Sequence, residues 1–355
     1  MSATQEDYVP KSIMITGGAG FIASHVAIRL TKKYPGVKVV VFDCLDYCSC
    51  LENLNEVASL PNFTFIKGNI CNPDFVTHVM KSEEIDTVMH FAAQTHVDNS
   101  FGNSFQFTKN NIYGTHVMLE SAKICGAQIR RFIHVSTDEV YGEGEDMETE
   151  QMKETHGLEP TNPYAATKAG AEFLAKSYKI SFGLPVIITR GNNVYGPHQF
   201  PEKLIPKFIN QLQRGSAVTM HGTGMNTRNF LYVGDVAAAF DCILTKGTIG
   251  EIYNIGGDNE LPNIAVAKDL IRLLGKADQE AQLITYVEDR AFNDLRYTIN
   301  SSKLHALGWK EEMPWDVGLQ TTVDWYLKYT SRYGNIDSAL IAHPRQGAEK
   351  TEDTF

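Results

Sequence analysis

The sequence predicts an α/β protein: a Rossmann-type, doubly wound parallel sheet with a smaller C-terminal α/β lobe. Three observations predict it. Short β-branched runs alternate with amphipathic stretches through the first half. The first of these runs leads straight into a glycine-rich turn. After about Pro197 the texture shifts to shorter elements and more loops.

Taken in order, IMIT (Ile13 to Thr16) is a short apolar strand, and Gly17, Gly18 and Gly20 follow at once. An amphipathic helix is expected from Phe21 to Tyr34, then a second strand, KVVVFD, from Lys38 to Asp43. FTFIKGN, TVMHFAA and RFIHVST repeat the pattern, and PVIITR (Pro185 to Arg190) extends the sheet. Strands apolar on both faces are what a parallel sheet covered by helices requires. The first unit is expected over residues 1–197 and the second lobe over 198–333, with an interleaved boundary. Pieces such as FLYVGDVAAAF and EIYNIGG return late in the chain, and 334–355 reads as a polar tail.

Bulk properties narrow the possibilities. At 355 residues, 43% hydrophobic and 21% charged, the chain can build a core of ordinary size without disulfides. A net charge of -10 without a basic run argues against nucleic acid or an anionic membrane as partner. The opening MSATQEDYVPKS lacks the basic-then-apolar order of a signal peptide, and no run of eighteen apolar residues exists. Six cysteines suit a reducing compartment, so a cytoplasmic location is expected. Cys44, Cys48 and Cys50 lack the paired spacing of a zinc site, and no metal is expected.

ITGGAGFIAS sets Gly17, Gly20 and Ala23 in a G-x-x-G-x-x-A pattern between strand and helix. Such a turn lets backbone approach a pyrophosphate at a helix N-terminus, with Gly17, Gly20, Phe21 and Ile22 as its contacts. Asp43 ends the next strand, where a carboxylate can accept from an adenosine ribose and repel a 2′-phosphate, favouring NAD over NADP. A plain tight turn with a solvated Asp is the competing reading. Asn69 and Ile70 follow the third strand, on the adenine side. Ala92 and Ala93 end the fourth with the small side chains that a backbone close to a cofactor needs.

TNPYAATK puts Tyr164 and Lys168 four apart on a helix that Asn162 caps and Pro163 opens. An ammonium near a phenol is expected to lower its pKa, making a base for a hydroxyl proton. RFIHVSTDEVYG leaves Thr137, Asp138 and Glu139 at a strand's carboxyl end, where open α/β sheets bind ligands. Oxidation needs only the Tyr, the Lys and a hydroxyl. Two further carboxyl groups suit an elimination, which needs a base for a carbon-bound proton and an acid for a departing hydroxyl. A solvated acidic loop is the competing reading here.

Together these residues resemble the extended short-chain dehydrogenase/reductases and, within them, the dTDP-glucose 4,6-dehydratases, over about Lys11 to Tyr329. TDEVYG is the most specific part. The resemblance implies a nucleotide-sugar substrate, bound NAD and a reaction in three stages. In these, Tyr164 removes the O4 proton during oxidation at C4, Glu139 takes the C5 proton while Asp138 protonates the leaving C6 hydroxyl, and C6 is then reduced. HFAAQTHVDNS implies sugar contacts from His96 and Asp98; GNNVYGPHQFPEKLIP implies contacts from Asn193, Glu202, Lys203 and Leu204. Arg228 matches a diphosphate-binding arginine and Asn263 a base- or ribose-side contact, while His221 and Arg290 fall on the nucleotide side. A homodimer paired through the Tyr/Lys helix and its neighbour is also implied.

The chain departs from that family at several positions. Ala23 replaces a glycine, Asn69 stands for a usual Asp, and Gln94 for a usual Glu. His221 stands for an aromatic Tyr, and Asn293 for a phosphate-side His. The last two lie on the nucleotide half and leave uridine open beside thymidine. Two other readings remain: a nucleotide-sugar epimerase or decarboxylase, and a non-catalytic NAD- or sugar-nucleotide-binding protein.

Overall fold

The computed structural model describes residues 7–142, 151–288, 298–329 and 331–341. The strands are β1 (Ser12–Thr16), β2 (Lys38–Asp43), β3 (Phe63–Lys67), β4 (Thr87–His90), β5 (Arg131–Thr137), β6 (Val186–Gly191), β7 (Asn193–Tyr195), β8 (Val218–His221), β9 (Thr227–Tyr232), β10 (Ile252–Ile255), β11 (Glu260–Pro262) and β12 (Ile284–Val287). Seven form one sheet in the order β10-β6-β5-β4-β1-β2-β3, with every neighbouring pair parallel. The expected doubly wound sheet is therefore present. Strand order reverses between β1 and β4, which opens a crevice at their carboxyl ends.

The helices are α1 (Phe21–Lys33), α2 (Pro73–Ser82), α3 (Val97–Gly102), α4 (Ser104–Phe107), α5 (Gly114–Cys125), α6 (Pro163–Phe182), α7 (Leu204–Gln213), α8 (Val233–Lys246), α9 (Asn263–Leu273), α10 (Ser302–His305) and α11 (Trp315–Lys328). Alternate residues of each strand feed two cores. Ile13, Ile15, Val39 and Val41 pack with α1 and α8, and Met14, Val40, Phe42 and Val88 with α2, α5 and α6. A third cluster joins α7, α9 and α11 over β8 and β9. β10 lies late in the chain yet pairs with β6, and the small sheets β11-β9-β7 and β12-β8 stand apart from the main one.

Helix α6 starts where its residues dictate. Asn162 accepts from the Ala165 amide at 2.9 Å, and Pro163 fills the first helical position, whose N–H would lack a partner anyway. Its middle is fixed to the sheet by charge. Arg190 of β6 donates Nε to Glu172 Oε1 at 3.0 Å and Nη2 to Oε2 at 2.8 Å, and both side chains are almost wholly buried. Arg190 also stacks on Tyr141, 4.6 Å from the ring centre, and Tyr141 donates to Asn254 of β10 at 2.8 Å.

Removing one partner of such a pair strands a charge in the core, which costs about 3–5 kcal/mol. Arg190→Met is expected to lose stability on that scale in denaturant unfolding, since Lys176 offers Glu172 only a longer contact at 3.5 Å. Arg190→Met with Glu172→Leu is expected to recover most of the loss. Equal losses in the single and double variants would show that the charge pair is not what holds α6.

Candidate active site

The turn after β1 is shaped by close approach. Gly17 has φ +69°, and a Cβ there would sit 2.9 Å from the Ala92 Cα, so only glycine fits. Gly20 caps α1, with Phe21 and Ile22 as its first residues, and Ala23 is buried against the sheet, which accommodates its methyl. Asp43 ends β2 and is buried. Its Oδ2 accepts from the Ala19 amide at 3.0 Å and its Oδ1 from the Leu45 amide at 2.7 Å. The carboxylate thus ties the glycine turn to the end of β2, a role the sequence did not suggest, and the Ser49 side chain is hydrogen-bonded to it as well. Burial raises its pKa above the ordinary value.

Asn69 spends its Oδ1 on the Cys71 amide at 2.8 Å, while Ile70 is buried against Gly114. The Ala92 amide donates to Thr16 Oγ1 at 3.1 Å, and Ala93 follows it at the mouth of the crevice. Gln94 donates to Asp46 at 2.7 Å, a contact a glutamate could not make without meeting a like charge.

The end of β5 and the start of α6 bring Thr137, Asp138, Glu139, Tyr164 and Lys168 together. Thr137, Asp138 and Tyr164 are 8%, 3% and 7% exposed. Asn192 donates to Asp138 Oδ2 at 2.7 Å and Thr137 Oγ1 to Asp138 Oδ1 at 3.1 Å. Burial, and next the charge of Glu139, push the Asp138 carboxyl up to about 7. Glu139 accepts from Asn162 at 3.0 Å. Asn162 therefore does two jobs, capping α6 and fixing Glu139.

One expectation is corrected here. Lys168 does not lower the Tyr164 pKa in the protein alone: its ammonium donates to the Val135 carbonyl at 2.6 Å. Burial and the charge of Glu139 push the phenol well above its ordinary value, although a hydrogen bond with the Thr137 side chain works the other way. Burial lowers Lys168 itself to about 8.

In front of this cluster opens a cleft between the main sheet and the segments of α3, α7, β8, β9 and α9. Glu139 lines it, with Thr137, Asp138 and Tyr164 behind. So do His96 and Asp98 before and within α3, Asn193 opening β7, Glu202, Lys203 and Leu204 at the start of α7, His221 ending β8, Arg228 in β9, and Asn263 opening α9. Lys203 donates to the Thr95 carbonyl at 2.9 Å, and Arg228 to the Thr227 carbonyl at 2.7 Å. Burial raises Glu202, whose two oxygens accept from Tyr47 at 3.1 Å each. Arg290 and Asn293 lie outside the described residues.

Several site residues went unread in the sequence. Asn192 holds Asp138, and its local signal is the Asn192-Asn193 doublet after β6. Tyr47 reaches across to Glu202 from the loop after β2. Lys207 and Phe230 also line the cleft. Asn111 is buried beneath Gln94, accepting its amide at 2.7 Å and donating to Thr167 of α6 at 2.9 Å. Nothing local in sequence marks the contacts of Tyr47, Lys207, Phe230 and Asn111, which cross between elements.

Comparison with known proteins agrees with this geometry. Residues 14–322 match the family model described as GDP-mannose 4,6 dehydratase. The chain is 58% identical over 338 residues, 95% of its length, to a trifunctional UDP-glucose 4,6-dehydratase/UDP-4-keto-6-deoxy-D-glucose 3,5-epimerase/UDP-4-keto-L-rhamnose-reductase of Arabidopsis thaliana, of which it covers 50%. The chain spans about half the length of that relative and of two similar Arabidopsis proteins. It is 48% identical to the dTDP-D-glucose 4,6-dehydratase of Mus musculus, covering 95% of this chain and 94% of that one. A crystal structure of the dTDP-glucose 4,6-dehydratase DesIV from Streptomyces venezuelae, with NAD bound, superposes with a TM-score of 0.85 at 37% identity, covering 90% of this chain and 98% of that one. With a family match over most of its length and the same architecture, the chain belongs to the GDP-mannose 4,6-dehydratase family.

Proposed function

We propose that this protein is an NAD-dependent hydro-lyase that converts a nucleoside-diphosphate glucose to the 4-keto-6-deoxy sugar nucleotide and water. The observation that carries the reading is Asp138 beside Glu139. One carboxyl group is buried and protonated up to about pH 7, and the other faces the cleft. An epimerase has no use for that acid and base. UDP-glucose is the favoured substrate and dTDP-glucose the second, because identity is 58% to the relative named for the first and 48% to that named for the second.

The residues fit NAD. The Gly17 turn leaves a cradle that a Cβ would fill, and Asp43 closes β2, where it would meet the ribose. Gly17, Gly20, Phe21 and Ile22 would hold the pyrophosphate, Asn69 and Ile70 the adenine side, and Ala92, Ala93, Tyr164 and Lys168 the nicotinamide side. Bound NAD supplies oxidation at C4, its reversal at C6, and a positive charge that favours the Tyr164 phenolate. Tyr164 then takes the O4 proton, with the Lys168 charge close by. The ketone acidifies C5, Glu139 removes that proton, and Asp138 hands its own to the C6 oxygen as water leaves. Arg228, Lys203 and Asn263 hold the diphosphate and nucleoside, while His96, Asp98, Asn193, Glu202, Leu204 and His221 line the rest of the cleft.

We also infer a homodimer. Tyr113 just before α5, His116 and Ile124 along it, and Ala166, Phe173, Ser177 and Ile180 along α6, form exposed stripes at helical spacing, with Phe173 58% and Ile180 81% exposed. We also infer a cytoplasmic location, a reading that the six unpaired cysteines support.

Incubation with UDP-glucose and dTDP-glucose is expected to give products lighter by one water in mass spectrometry, faster with the first. With Glu139→Gln, water loss should fall on the order of 10²- to 10⁴-fold, the usual worth of a general base. Reduced cofactor should then accumulate and deuterium from heavy water should stay out of C5; normal labelling at the parent rate would remove Glu139 from the role. The pH dependence has a definite sign. Asp138 acts only when protonated, so the rate of water loss should fall as pH rises through about 7. An elimination rate flat from weakly acidic to alkaline pH would contradict that assignment. For the cofactor, stripped protein should bind NAD at least about tenfold more tightly than NADP, one charge-assisted hydrogen bond being worth roughly 1.5–3 kcal/mol. Equal affinities in competitive titration would dismiss the Asp43 argument.

A further inference from the structure

Proton accounting in the proposed reaction, on which this inference rests, does not close at the individual side chains. Electrons balance, because the oxidation at C4 is undone at C6 through NAD. Glu139 takes a proton from C5 and gives one back there. The O4 proton is different: it passes to Tyr164 and never returns, since C4 stays a ketone in the product. Asp138 gives its proton to the C6 oxygen, the C6–O bond breaks, and water departs. Each turnover therefore ends with Tyr164 one proton rich and Asp138 one proton poor. The next cycle needs the reverse.

Between the two stands Thr137. Its Oγ1 donates to Asp138 Oδ1 at 3.1 Å, and its side chain is hydrogen-bonded to Tyr164. Asn192, a donor, occupies Asp138 Oδ2 at 2.7 Å, which leaves Oδ1 as the oxygen to be protonated. All three members of the chain are less than a tenth exposed, so exchange with bulk water is hindered. Lys168 is no outlet, because an ammonium accepts nothing and this one is held on the Val135 carbonyl.

We propose that Thr137 is a proton bridge that carries the proton taken by Tyr164 back to Asp138, resetting the site from within after each turnover. The phenol O–H breaks as a new O–H forms on Thr137 Oγ1, and the original threonine O–H breaks as one forms on Asp138 Oδ1. Thr137 ends as it began, a neutral hydroxyl. A cation bound beside the phenol favours its anion and so drives the proton toward the carboxylate. Thr137 Oγ1 also accepts from the Glu139 amide at 3.3 Å, capping the turn at Asp138–Tyr141. A purely structural cap is the role the experiment must separate from a bridge.

The test mixes NAD-loaded enzyme with UDP-glucose under rapid-quench conditions and follows the infrared C=O band of protonated Asp138, identified by its loss in Asp138→Asn. The parent should give product linearly from the first turnover, with the band restored in every cycle. Thr137→Val should give a burst of about one product per site, then later turnovers on the order of 10²-fold slower than the first, with the band gone after the burst. Formate or another small acid should speed those later turnovers. Thr137→Ser keeps the hydroxyl and should show no burst. If Thr137→Val slows first and later turnovers equally and keeps the band, Thr137 only caps and positions, and the bridge is wrong. If Thr137→Val is too slow to complete one turnover, the band decides: its persistence through rescue by formate overturns the bridge, and its loss and recovery support it. A parent that loses no water from the sugar overturns the dehydratase reading itself, an outcome distinct from the others.

Discussion

The buried Arg190–Glu172 pair is the interaction on which the site's geometry depends. Glu172 lies in the middle of α6, which carries Tyr164 and Lys168 on its first turns. Arg190 lies in β6, directly beside β5, whose end carries Thr137 and Asp138. Two side chains this deep are expensive to desolvate, and only a bidentate fork offsets that cost. Because the fork fixes direction as well as distance, it sets how α6 lies on the sheet. Arg190 further engages Tyr141, and through it Asn254, so the turn that follows β5 shares one network with β6 and β10.

That rigidity lets burial tune chemistry. Asp138 and Glu139 are adjacent in sequence yet face different media. One is enclosed and raised to about 7; the other lines the open cleft. Two carboxyl groups whose environments differ in this way can serve as acid and base in one reaction at one pH. The same burial that raises Asp138 also holds the Tyr164 phenol neutral in the protein alone, so in the proposed reaction it would act as a base only with a positive charge nearby. On that reading, activation of the phenol is coupled to cofactor binding. Lys168 by itself, on the Val135 carbonyl, does not accomplish it.

The cleft is closed by contacts between segments far apart in sequence. Tyr47, after β2, bonds Glu202 before α7 and packs edge-on against Phe200 at 5.4 Å. Gln94 bonds Asp46 in the same loop, and Lys203 bonds the Thr95 carbonyl. The loop after β2, the segment after β4 and the segment before α7 thus share partners, so a shift in one constrains the others.

The sequence by itself determined the parallel sheet, the glycine turn, the capped start of α6 and which side chains gather where β5 ends. Each of these is written in local pattern: β-branched runs, a G-x-x-G spacing, Asn162-Pro163, and Thr137 to Glu139 at a strand end. Only the tertiary structure decided what those groups experience. The ammonium of Lys168 is turned to a carbonyl, Asn192 and Asn162 each hold one carboxyl group, Asp43 ties down the glycine turn, and β10 returns to pair with β6. The physical reason is that a pKa, like a hydrogen-bond partner, is set by the atoms that packing brings near and the water it removes. Those neighbours come from tens to hundreds of residues away along the chain.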